Sequence, residues 1–129
     1  MFDFIAIDWG SVRTGLAFGS SLTGLVIPYT KELMTKNLLE ILDVEIKSRR
    51  IITLVVGKPT NFKLQNTQVT EKILKFTEAL KAQYPKMNLI MVNENNTSKA
   101  GKDLKDKHLI NHNAAAEIGT RYLADLKKK

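Results

Sequence analysis

Residues 2–17 read FDFIAIDWGSVRTGLA, and the reading of this stretch decides the fold. FDFIAI is a short apolar run rich in β-formers that stops at Asp8, and a second run begins near Arg13 and continues as TGLAFG. Two such runs around a glycine-containing turn predict a β-hairpin. Asp8 sits where the first strand stops, so its carboxylate is expected at the sheet margin and not in the core. Asp opens turns on its own account, so a turn-former and a metal ligand are both open readings of it.

Working outward, GLVIPY at Gly24–Tyr29 predicts a third strand, with Pro28 marking an edge position or a strand end. From Thr35 to Arg49 the residues Leu38, Leu39, Ile41, Leu42 and Ile46 recur at helical spacing, and Lys47, Arg49 and Arg50 gather at the end where cations suit the helix dipole. IITLVV at Ile51–Val56 has the pattern of a strand covered on both faces, as in a parallel sheet, and Gly57, Lys58 and Pro59 follow it. Residues 66–82 predict an amphipathic helix through Val69, Ile73, Phe76, Thr77 and Leu80, ended by Tyr84 and Pro85. MNLIMV at Met87–Val92 reads as another buried strand. Residues 99–108 are dense in Lys and Asp and predict a solvated helix or loop, and Asn111–Leu126 a final helix with Asn111 or Asn113 near its cap. A hairpin followed by strand, helix, strand, helix and strand implies an α/β fold, a mixed sheet with helices on its faces.

The 129 residues suit one domain. The absence of Cys removes disulfides, thiolate zinc sites and a Cys nucleophile together, and it fits a reducing cytoplasm. No apolar run reaches the roughly 18–20 residues of a membrane span, and the N-terminus has no basic lead-in or cleavage site. A cytoplasmic protein without a membrane partner is therefore expected. Twenty Lys and Arg against thirteen Asp and Glu leave a net charge of +7, which makes nucleic acid the leading partner. A solvated, Lys-rich surface is the plainer alternative.

The segment DWGSVRTGLA carries the pattern Asp8-x-Gly10-x-x-Arg13-x-Gly15-x-Ala17 and resembles the first motif of the YqgF/RuvX family. VVGKPTN at 55–61 resembles that family's Val-Gly-x-Pro-x-Asn segment. In NENNTSKA at 93–100 the residues Glu94, Thr97 and Ser98 match the family, while Asn93 and Asn95 stand where it has Asp and Arg. NHNAAAEIGTRYL, from Asn111, resembles the family's Asp-x-x-Ala-Ala helix, with His112 at the place of the third acidic ligand. The resemblance covers essentially the whole chain and implies a single RNase H-like domain over 1–129. It implies a nuclease that processes the 5′ end of precursor 16S ribosomal RNA, with Holliday junction resolution as the related activity. A catalytically degenerate nucleic-acid-binding relative and, more remotely, an actin-like ATPase fragment are the alternatives.

If the strands of Asp8 and Glu94 lie near one another, their C-terminal ends bring two carboxylates together. Hard cations such as Mg²⁺ or Mn²⁺ relieve the repulsion through oxygen coordination. A pair of such ions about 3.5–4 Å apart serves phosphodiester hydrolysis. His112 is expected as third ligand or general base; it equally suits lost activity, or a helix-capping or partly buried polar role. Arg13, Lys58, Asn61 and Thr97 suit phosphate contacts at the same margin. Trp9 either packs under the hairpin or stacks a base. A monomer or weak homodimer is expected.

Overall fold

The computed structural model describes residues 1–59, 68–94 and 107–127; within these, residues 59, 68–70, 94 and 107–109 are described by backbone alone. The chain forms β1 (Phe4–Asp8), β2 (Gly15–Gly19) and β3 (Val26–Pro28), then a 3-10 turn at Thr35–Asn37 leading into α1 (Leu38–Arg49). It continues through β4 (Thr53–Pro59), α2 (Gln68–Gln83), β5 (Asn88–Glu94) and α3 (Lys107–Lys127). One five-stranded sheet has the order β3-β2-β1-β4-β5. β1 is antiparallel to β2 and parallel to β4, and β4 is parallel to β5, so the sheet is mixed.

The apolar runs take the places their composition suits. Phe4, Ile5, Ala6 and Ile7 of β1 and Val55 and Val56 of β4 are all 0% exposed, because each strand has a neighbour on both sides and cover on both faces. Alternation sorts the side chains. Ile5, Ile7, Leu54 and Val56 face a core shared with Leu38, Leu42 and Ile46 of α1 and Leu80 of α2. Phe4, Ala6, Ala17, Val55 and Val92 face the other way, against Ala115 and Ile118 of α3. Small side chains dominate that second layer and let α3 lie close to the sheet.

Two expectations change. β5 is a strand, but it occupies an edge of the sheet: Val92 is 3% exposed while Ile90 is 38% exposed. Hydropathy reports how apolar a run is, not how many neighbours reach it. The last helix begins at Lys107 instead of Asn111, since no Gly or Pro in KHLI stops helical backbone from extending upstream. Among the described residues no helix is long and apolar enough to cross a membrane.

Candidate functional site

Strand register locates the site. Ile7 pairs with Val56 and Val56 with Met91, which sets Asp8, Gly57 and Val92 on one level across three strands. Position 94 lies two residues further along β5, paired with Pro59. By the two-residue period of the pleat, positions 8, 57, 92 and 94 share one parity, that of Phe4, Ala6 and Val55 on the α3 face. Two strand spacings put positions 8 and 94 about 10 Å apart across the sheet and about 7 Å apart along it. Gly57 stands between them on β4 without a side chain. The fold thus brings positions 8 and 94 to one margin of one face; the Glu94 side chain lies outside the described residues. Lys58, half-buried and paired with Asn93, has the opposite parity. Asn61 and Thr97 lie outside the described residues, as do Thr67, Ser98 and the lysines at 99, 102 and 105.

The loop leaving Asp8 is tightly specified. A Cβ on Gly10 would lie 2.2 Å from the Arg13 carbonyl oxygen, so only glycine fits this turn. Trp9 turns inward, its ring 6.3 Å from that of Phe76, which makes it a packing residue. Arg13 precedes β2 and forms an isolated antiparallel bridge with Met34. Its Nε donates to Glu32 Oε1 at 3.2 Å, with side chains 41% and 51% exposed. An ion pair so open to water contributes little to stability.

Gly15 shows how α3 meets the hairpin: a Cβ there would come within 1.9 Å of the Asn111 carbonyl oxygen. The next residue of that helix, His112, is 0% exposed. Its Nδ1 accepts the Leu16 backbone N–H at 2.9 Å and its Nε2 lies 2.7 Å from the Lys31 carbonyl oxygen. An amide N–H only donates and a carbonyl only accepts, so the ring is the neutral tautomer with its proton on Nε2. The Tyr29 ring stands edge-on to it at 5.4 Å. Leu16 also accepts the Tyr29 N–H, at 2.9 Å, so both its backbone groups face the β3 side of β2. His112 completes hydrogen bonding where β3 has left the sheet. Both ring nitrogens are thus engaged by backbone, Nδ1 as acceptor and Nε2 as donor, where a metal ligand or general base was expected. Among the described residues no three His, Asp or Glu side chains cluster as a metal site.

Sequence reasoning passed over Thr14 and Thr35. Thr14, 1% exposed, donates its N–H to the Leu33 carbonyl at 3.1 Å, and the Thr35 N–H reaches the Val12 carbonyl at 2.8 Å. Their only sequence signal is Thr35 at a helix start, which reads as an ordinary cap.

Comparison with known proteins bears on this arrangement. The family described as "RuvX: Holliday junction resolvase" matches residues 3–125. A relative from Amoebophilus asiaticus (strain 5a2), named "Putative pre-16S rRNA nuclease", is 27% identical over 135 residues, covering 96% of this chain and 95% of the relative. A relative of the same name from Chlorobium chlorochromatii (strain CaD3) is 29% identical over 100 residues, covering 78% of this chain and 71% of the relative. Among solved structures, a fowlpox virus resolvase in complex with substrate Holliday junction DNA superposes with a TM-score of 0.60 at 15% identity, covering 98% of this chain and 99% of that one. A crystal structure of the fowlpox virus Holliday junction resolvase gives 0.50 at 12% identity, covering 97% and 96%. At such identities the likeness speaks for the fold, which is RNase H-like.

Proposed function

The chain belongs to the RuvX Holliday junction resolvase family, and from that membership we propose that it is a divalent-metal-dependent nuclease acting on structured nucleic acid. Precursor 16S ribosomal RNA is the proposed substrate, in line with the names of its relatives, and branched DNA the related one. The observation that carries this reading is the placement of Asp8 and position 94 on one face and one margin of the sheet, with the side-chain-free Gly57 between.

The residues fit a hard cation. With both His112 nitrogens bonded to backbone, the donors proposed at the margin are the oxygens of Asp8 and Glu94, the ligand type Mg²⁺ and Mn²⁺ prefer. Bound there, such an ion supplies positive charge to the phosphodiester and activation of water. Asp8 and Glu94 hold it; Arg13, with Asn61 and Thr97 from the adjoining segments, positions phosphates, while Lys58, on the opposite face of its strand, adds only charge near the strand end. Incubating the chain with a precursor 16S fragment or a four-way DNA junction and Mn²⁺ or Mg²⁺, beside Asp8→Asn, tests this. Cleavage is expected from the wild type alone, and equal cleavage by both proteins overturns the reading.

The engagement of His112 favours one second reading, in which the chain binds nucleic acid without cutting it because the acidic set is short by one. That reading expects salt-dependent RNA binding with no cleavage under either metal, and none gained by His112→Asp. Metal-dependent cleavage by the wild type removes it.

A further inference from the structure

Thr35 opens the 3-10 turn ahead of α1, where a threonine hydroxyl ordinarily turns back to cap the helix. Neither the turn nor α1 has a side-chain cap, and the Thr35 hydroxyl is directed elsewhere. It donates to the Gly10 carbonyl oxygen at 2.6 Å. That bond takes its only proton, so across the 2.8 Å contact between the two hydroxyls it is Thr14 that donates. With its N–H on the Val12 carbonyl, Thr35 alone holds the loop from Asp8 to β2 at three points: the Gly10 carbonyl, the Val12 carbonyl and the buried Thr14 hydroxyl.

The Gly10 peptide is the one that most needs holding. It lies two residues beyond Asp8, and glycine has the widest backbone freedom in the chain. The bridge between Arg13 and Met34 secures the far end of the loop, whereas Thr35 secures the end nearest the carboxylate. We propose that Thr35 is a positioning residue for Asp8: by fixing the Gly10 peptide it holds the strand end in the geometry from which Asp8 takes a divalent ion. This rests on the reading of Asp8 as a ligand. Outer partners of this kind tune affinity by restricting how far a ligand wanders before the ion arrives.

The test uses the full chain and Mn²⁺ alone. Thr35→Val keeps the shape and loses the hydroxyl, Thr35→Ser keeps the hydroxyl, and Thr14→Val removes a neighbouring hydrogen bond while leaving the one to Gly10. Titration calorimetry measures Mn²⁺ affinity, and amide hydrogen exchange of residues 9–14 is followed without metal at a temperature where every variant is folded. Thr35→Val is expected to speed exchange in the loop and weaken Mn²⁺ binding about ten-fold; Thr35→Ser and Thr14→Val should bind as the wild type does. Wild-type Mn²⁺ affinity in Thr35→Val overturns the proposal whatever the loop does, and so does a loss in Thr35→Ser equal to that in Thr35→Val. Thr35→Ala serves the same comparison if Thr35→Val does not fold. Equal Mn²⁺ binding by wild type and Asp8→Asn is a separate result: it removes the ligand reading of Asp8, and the positioning role with it.

Discussion

His112 bonds two segments of the chain to α3 with one ring. Leu16 N–H and Lys31 C=O are backbone groups at a place where β3 no longer pairs with β2, and an unsatisfied buried backbone group costs roughly 1–3 kcal/mol. His112→Ala leaves both without the ring and opens a cavity; a loss of about 3–4 kcal/mol is expected in urea unfolding. His112→Asp restores the family's acid but is not neutral for the fold. Its carboxylate accepts from Leu16 and has no proton for Lys31, so a loss of about 2 kcal/mol is expected. Wild-type stability in both variants would show that the ring holds nothing together.

Among the elements, α3 rests on β2 by backbone. The Cβ that Gly15→Ala introduces meets the Asn111 peptide, which cannot swing aside as a side-chain tip does. About 2–3 kcal/mol of destabilisation is expected, the upper part of the range for overpacking. α1 ends on Arg50, a non-glycine residue in the left-handed region at φ 55°, whose N–H still closes on the Ile46 carbonyl. Arg50→Gly relieves that strain and is expected to raise stability by about 0.5 kcal/mol, read as a higher melting temperature. Tyr84, just beyond α2, ties that helix to α1 by donating to Asp43 Oδ1 at 3.2 Å. Burial, then the Asp43 bond, pushes its phenol up from 10.0 to about 12. A raised pKa means that the folded state holds the proton longer. Its contribution is therefore complete below pH 10 and is lost as pH climbs toward 12. Tyr29 and Tyr122, both raised chiefly by burial, act in the same direction. The melting temperature of Tyr84→Phe should fall less than that of the wild type over that interval.

For the molecule as a whole, a charge of +7 on 129 residues predisposes the surface to polyanions. If about four phosphates are contacted, affinity for duplex nucleic acid should drop about 100-fold between 50 and 200 mM salt. Fluorescence anisotropy with Asp8→Asn measures this without cleavage, and a salt-independent affinity would sever the link between charge and binding. Resemblance in fold to a junction-bound resolvase at 15% identity shows that this architecture tolerates wide change in side chains.

How much of this was legible depends on the range of the interaction concerned. Strand β1, the stop at Asp8, the turn at Gly10 and the mixed α/β class follow from short apolar runs, helical hydropathy and turn chemistry, all of which act within a few residues. The amino-acid order by itself therefore determined which elements form and which carboxylate stands at a strand end. Tertiary structure alone decided that β5 lies at an edge, that the His112 ring serves a backbone amide 96 residues away, and that the Thr35 hydroxyl reaches across 25 residues to Gly10 instead of capping its own helix. A side chain's donors and acceptors are fixed by its type, but their partners are fixed only when distant segments pack. The same imidazole suits a metal ligand or a structural clasp until the fold brings it a partner.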